Sequence, residues 1–474
     1  MSNRFAWLLG AVVLVSIGVL VACGSKYNAS SDGLVLVGSQ GSGLIETFSF
    51  NLGSGSAFAV SNPPSDTSSK TCVLNGIPSS LVVDPAGAYA YAIINENSSC
   101  MDSKTGIAAF KINSNGTMSA AGSLQILNKT SPTVLVGVDE CGTRVSEAVP
   151  VSVDVSPAAM SIDSAGKYLF LAEVSTATTG SVSFTCNGVP QTVTVDVPVP
   201  GTVSALSIGG AGSLSEVTGS PFSVPLSSNT PSMVALAATP TVFPAIGING
   251  VQNSVCSAVG LNPPTSEYLY AVDSVNYLVW EFAVNTSTGV LGVPGALQSV
   301  IPSIGTDPVP AGIAVDPCDR FAYVSDSLSN KVSAYTICSA VSPGCNAADG
   351  SLVPVVGSPF SLSGAASSPG AIAVDPYGRF VYVLGTLSNT ISPLSISPIS
   401  GSLAALSPAT VATGVGPKSI AIRGDDNWMF VTNFGSSSLG GSSVSQYAIT
   451  PASGALTVQP AIQTDNYPWG VAVK

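Results

Sequence analysis

Between Pro369 and Leu403 short apolar runs alternate with polar turns, and the same alternation returns, degraded but legible, along nearly the whole chain. Ala371 to Val374 is wholly apolar, as expected of a strand buried on both faces. Asp375-Pro376-Tyr377-Gly378 then supplies turn chemistry: Pro presets φ, Asp bonds the backbone two residues on, and Gly accepts a positive φ. Arg379 to Leu384 reads as a second strand, Ser388-Asn389 as the next turn, and Ile391 to Ile396 as a third strand. Pro393 within that third strand lacks an N–H and suits an edge or a bulge. Ser400-Gly401 leads into a short outer strand. With no helical periodicity between them, these four strands predict one up-and-down antiparallel sheet.

The repeats of this unit are found by aligning on the Asp of its first turn. The markers are Val82-Val83-Asp84-Pro85, Ser161-Ile162-Asp163, Gly260-Leu261-Asn262-Pro263, Ala314-Val315-Asp316-Pro317, Ala373-Val374-Asp375-Pro376 and Ala421-Ile422-Arg423-Gly424. Each is followed by a strand of one type, such as Tyr168-Leu169-Phe170-Leu171 or Phe321-Ala322-Tyr323-Val324. Sheets repeated in this way are the blades of an all-β propeller. Six blades are visible, and a seventh is split between the chain ends. Trp469 to Val473 looks like an innermost strand with nothing after it, and Leu34 to Val37 like a second strand with nothing before it. Joined, with Ile45 to Phe50 and Phe58 to Val60 outside them, they close the ring and leave no unpaired edge at its axis.

Phe430-Val431-Thr432-Asn433, Tyr323-Val324-Ser325-Asp326 and Tyr382-Val383-Leu384-Gly385 resemble the Y-V-T-N signature of the YVTN-repeat, lactonase-like seven-bladed propellers. The resemblance covers residues 32–474 and implies a seven-bladed ring of four-stranded blades. Phosphogluconolactonase-type members of that family are associated with a site lined by His and Arg. This chain has no histidine at all, which removes Ser-His-Asp and Cys-His catalysis and the usual general base near neutral pH.

The least regular segments are expected to be insertions at about 124–157, 175–200 and 226–255, read respectively as preceding the third blade, lying between its second and third strands, and preceding the fourth blade. In an up-and-down ring such connections leave on one face, which becomes the default ligand-facing rim. Glu173, Asp273, Asp326 and Asn433 end second strands toward that rim and are candidates to line the channel mouth and bind a cation or a sugar hydroxyl. Asp84, Asp163, Asp316 and Asp375 are read as caps of their own turns. Trp280, Trp428 and Trp469 fall in or beside strands and are assigned to core packing. No metal site, calcium loop or phosphate cradle is present, and no cofactor is expected.

Composition places the chain. Arg4, the apolar run from Phe5 to Val21 and Leu20-Val21-Ala22-Cys23 read as a lipoprotein signal over 1–22, with Cys23 lipidated and 23–31 a polar tether. Eight further cysteines in an exported chain imply disulfides. Cys72 with Cys100, and Cys141 with Cys186, fall in equivalent places of successive blades, and Cys338 with Cys345 flanks one loop. Cys256 and Cys318 are placed at opposite ends of neighbouring inner strands, too far apart for a bridge. A net charge of −12 repels nucleic acid and anionic lipid, so the only expected membrane contact is the anchor.

The favoured expectation is an envelope-anchored monomer serving as a non-catalytic binding or scaffolding module for a protein or an extracellular glycan. The alternative is a lactonase-like hydrolase using carboxylate and arginine chemistry, which would gather those groups at one mouth of the channel; no such cluster is expected. Replacing Cys23 with Ser should move the mature protein from the membrane to the soluble fraction, and an unchanged fractionation pattern would refute the anchor.

Overall fold

A computed structural model describes residues 32–60, 76–96, 105–126, 133–141, 143–150, 155–175, 178–197, 201–224, 230–239, 267–292, 295–299, 309–338, 350–363, 368–435 and 442–474. The signal segment, Cys23 and the tether lie outside them, as do Cys72, Cys100, Cys256 and Cys345.

The described strands form the seven antiparallel blades of a propeller, read below from axis to periphery. The first blade is the expected composite: Pro468–Val473, then Asp32–Ser39, Leu44–Asn51 and Ala57–Ala59. Val35 pairs with Val473 and Gly38 with Gly470, so the tail supplies the innermost strand of the blade that the head begins. Blade 2 begins at Ile77–Val83, blade 3 at Val155–Ile162, blade 4 at Met233–Ala238, blade 5 at Pro310–Val315, blade 6 at Pro369–Val374 and blade 7 at Pro417–Ile422. In blade 6 Pro393 lies inside the third strand, Thr390–Ile396. Its missing donor is tolerated because the outer edge there is covered by two separate short strands, Leu403–Ala405 and Val411–Ala412, which pair on either side of it.

The apolar core is divided among the seams between blades. Seven clusters of buried side chains each draw on two neighbouring blades, including the seam that joins the last blade to the first through Val35, Val37, Trp428 and Phe430. The aromatic that opens a second strand packs on a left-handed glycine in the outer turn of the next blade. Tyr268 meets Gly350, Phe321 meets Gly401, Phe380 meets Gly454 and, across the closure, Trp428 meets Gly55. A second aromatic two residues on donates its hydroxyl to the same glycine's carbonyl: Tyr270 to Gly350 at 2.7 Å, Tyr323 to Gly401 at 3.1 Å, Tyr382 to Gly454 at 3.0 Å. At the closing seam Phe430 has no hydroxyl, and Gln446 Nε2 donates to Gly55 instead, at 2.6 Å.

Two of the three expected insertions are on the rim face. Thr133–Glu140 and Thr143–Pro150 form a hairpin between blades 2 and 3, and Thr178–Cys186 and Val189–Val197 form another between the second and third strands of blade 3. The Cys141–Cys186 disulfide joins them, with Cα atoms 5.5 Å apart. The third expectation is corrected. Blade 4 starts directly with Met233–Ala238, so residues 240–266, which lie outside the described residues, come after its inner strand and not before it. The marker was missed because Thr239 replaces the usual Asp: its Oγ1 accepts the Tyr268 N–H at 2.8 Å, as Asp does in other blades. The objection to a Cys256–Cys318 bridge assumed that the inner strand of blade 4 follows Cys256, which it does not, and Cys256 itself lies outside the described residues. Cys318 and Cys338 are both disulfide-bonded.

Asp319 occupies the left-handed position (φ 53) of the first turn of blade 5, where blade 6 has Gly378. It is 3% exposed, and burial, aided by the charges of Asp316 and Glu267, pushes its carboxyl from 3.8 up to about 9. A raised folded value means that folding takes up a proton in the window from about pH 4 to about pH 9. The stability it contributes is complete below the unfolded value and is lost as pH rises, with the unfolding constant growing by up to about tenfold per pH unit. Asp319→Asn should flatten that part of the pH dependence in urea unfolding; an unaltered slope would show that Asp319 is ionised in the fold.

Candidate functional site

The mouth of the channel on the rim face is built by one irregularity repeated in all seven inner strands. Near the start of each, the register with the second strand slips. The residue at that bulge is Ser79, Ala158, Val234, Ala311 and Gly370 in blades 2 to 6, Lys418 in blade 7 and Trp469 in blade 1. Bulges re-aim side chains, and here five of seven are small. The two large ones are neighbours.

Lys418 Nζ lies 4.7 Å from the centre of the Trp469 ring and 5.6 Å from that of Phe434, the residue after the second strand of blade 7. Phe434 meets Trp469 edge-on at 5.4 Å and Tyr467 at 4.8 Å. All four side chains are partly exposed, and Lys418 makes no ion pair among the described residues. Thr432 Oγ1 donates to the Trp469 carbonyl at 2.7 Å, tying the two blades together beneath the rings. A partly exposed cation resting on aromatic faces can hold a flat or ring-shaped ligand and oppose negative charge on it. Trp469 is thus corrected from core residue to mouth residue, whereas Trp280 and Trp428 are buried as expected.

The four acidic and amide candidates are elsewhere. Glu173, Asp273, Asp326 and Asn433 are at most 1% exposed and point into their own blades instead of the mouth. Glu173 accepts from Thr202 and from Ser204 at 2.6 Å, and burial raises its pKa. Asp273 accepts the backbone N–H groups of Ser232, Val275 and Asn276, plus the Asn276 amide at 2.7 Å. Asp326 accepts from Ser333 at 2.7 Å, with burial pushing its carboxyl up to about 7. Asn433 donates to Ser443 and Ser445 at 3.1 and 2.9 Å. Strand-end polarity, which pointed to the channel mouth, is used to satisfy buried strand edges.

Arginines and carboxylates do gather, contrary to expectation, but on the opposite face. Arg320 pairs with Asp316 at 2.7 Å and donates to the Gly378 carbonyl at 2.9 Å in the next blade. Arg379 pairs with Asp375 at 3.1 Å and with Asp426 of the next blade. Arg423 pairs with Asp425 and donates to the Lys474 carbonyl across the closure at 3.4 Å. These groups hold turn to turn. Asp84, Asp163 and Asp375 cap their own turns through backbone N–H groups, as expected. Among the described residues no group of His, Cys, Asp and Glu could hold a metal.

Residues 345–471 match the family model described as "Lactonase, 7-bladed beta-propeller". No curated protein matches the sequence. Among solved structures, a Bacteroides uniformis protein assigned as a 6-phosphogluconolactonase superimposes with TM-score 0.60 at 17% identity, covering 94% of this chain and 100% of that one. A Bacteroides fragilis protein with the same assignment gives 0.59 at 16%, covering 94% and 98%. The periplasmic gluconolactonase of Pseudomonas aeruginosa gives 0.57 at 17%, covering 94% and 99%. The resemblance read from the Tyr-Val repeats therefore holds, and at such identities the structures speak for the fold. The expectation of a non-catalytic module is overturned, because the family matched is one of lactonases. Absence of histidine, which carried that expectation, does not separate the chain from it.

Proposed function

We propose that this lactonase-like seven-bladed propeller hydrolyses a sugar lactone at the rim-face mouth of its channel. One observation carries the reading: the stretch matched by the lactonase family model, 345–471, contains Lys418, Phe434, Tyr467 and Trp469. In lactone hydrolysis water adds to the ring carbonyl, the ring C–O bond breaks and the departing oxygen takes a proton, giving a hydroxy acid. Negative charge develops on the carbonyl oxygen. An ammonium group held beside it in a partly dehydrated mouth opposes that charge, and the aromatic faces orient the ring. With no histidine in the chain, charge stabilisation and orientation carry the catalysis. The closed ring needs no second copy to complete the mouth, and we place the protein outside the cytoplasm on the Cys23 lipid, acting as a monomer.

The test is release of acid from glucono-δ-lactone and from its 6-phosphate by the mature protein, followed with a pH indicator. Lys418→Met and Trp469→Ala should each lower kcat/KM by about 10- to 100-fold, the size expected for loss of a charge-assisted contact, without shifting the unfolding midpoint. Rates equal to those of uncatalysed hydrolysis, or variants as active as the parent, would overturn the assignment.

A further inference from the structure

Three blades share a buried polar pair that joins the end of the second strand to the third strand, two residues beyond register. Glu173 accepts from Ser204 at 2.6 Å, Asp326 from Ser333 at 2.7 Å, and Asn433 donates to Ser445 at 2.9 Å. In blade 1 the partners are exchanged. Ser39 ends the second strand and donates at 2.6 Å to Glu46 on the third. The exchange leaves Glu46 able to reach beyond its blade, where both its oxygens accept the Asp465 N–H, at 3.0 and 3.2 Å.

Asp465 lies in the short connection, 464–467, that brings the chain into its closing strand. Its successors are fastened on both sides. The Gly41 N–H donates to the Asn466 carbonyl and the Gln40 N–H to the Tyr467 carbonyl, each at 2.9 Å, while the Tyr467 N–H donates to Ser442 Oγ of blade 7 at 3.1 Å. A Cβ at Gly41 would lie 2.7 Å from Asn466, so only glycine allows this approach. Tyr467 is held at φ 61, a left-handed conformation that a bulky residue keeps only where its surroundings over-determine it. Those fastenings set its ring on Phe434 and lead through Pro468 to Trp469 at the bulge.

We propose that Glu46 is a positioning residue for the mouth, fixing through Asp465 the connection that places Tyr467 and Trp469 against Phe434 and Lys418. It does not touch the ligand. Burial raises the Glu46 carboxyl while the Ser39 and Asp465 hydrogen bonds lower it, as expected of a carboxylate engaged on both oxygens. The proposal builds on the lactonase reading for its effect on turnover, but the placement itself can be read without substrate.

The experiment compares Glu46→Ala with Glu46→Gln, whose amide oxygen can still accept the Asp465 N–H. Tryptophan emission and acrylamide quenching are measured in the full-length parent and again in a Trp469→Phe background. Glu46→Ala should alter emission in the parent and not in Trp469→Phe, and Glu46→Gln should restore most of the parental signal. Toward glucono-δ-lactone, Glu46→Ala should lose about tenfold in kcat/KM, the scale of a displaced binding group, with Glu46→Gln recovering most of it. An unchanged emission in Glu46→Ala, or a change that persists without Trp469, would overturn the proposal. If the parent hydrolyses no lactone the functional reading fails, while the emission comparison still decides the role of Glu46.

Discussion

The structure depends on a contact made across blade seams: an aromatic side chain pressed on a glycine of the next blade, joined at four of the seams by a hydrogen bond to that glycine's carbonyl. A four-stranded sheet of this kind has two apolar faces and no core of its own. Its stability comes from the neighbour on either side, so the apolar side chains sort into seam clusters instead of one central core. The glycine is required twice at each contact. At Gly401 the backbone is left-handed, and a Cβ would lie 2.4 Å from the Phe321 ring. Because each blade leans on the next, the last must lean on the first, and Trp428 on Gly55 with Gln446 beside it completes the circle.

Closure also explains where the candidate site lies. The inner strand of blade 1 comes from the far end of the chain, so the connection leading into it, 464–467, is stitched to two blades. That seam is where the bulge positions carry Lys418 and Trp469, whereas the other five are small. Turn-face arginines do a different job: Arg320, Arg379 and Arg423 each reach the following blade and fasten turn to turn. One face is consumed by ion pairs that hold the ring, which leaves the other free to present a cation and aromatic rings to the channel.

Much of the fold was legible because its determinants are local and repeated. Tyr-x-Tyr strands, Asp-Pro-x-Gly turns and complementary chain ends suffice to count blades and to close the ring. Blade 4 was misplaced because Thr239 caps its turn with a hydroxyl where alignment sought a carboxylate. The site was harder to read. Glu173, Asp326 and Asn433 end second strands, a place that suggests solvent, yet serines two positions beyond register draw them inward. Trp469 looked like a core residue because its strand is apolar, and only the bulge, invisible to a period-two pattern, turns it to the mouth. One sequence signal was available: of the residues following the Pro that opens most inner strands, only those after Pro417 and Pro468 are large.

The aromatic–glycine contacts at the seams from blade 2 round to blade 1, the closing one included, hold the ring as one cooperative unit. Urea unfolding of Gly55→Ala tests this most directly, since the added Cβ would lie 2.5 Å from Trp428 at a residue with φ 70. A single transition is expected, shared by fluorescence and circular dichroism and lowered by about 1–3 kcal/mol as for other overpacked cores. An unshifted midpoint, or a separate early transition with the remaining blades as stable as before, would contradict it.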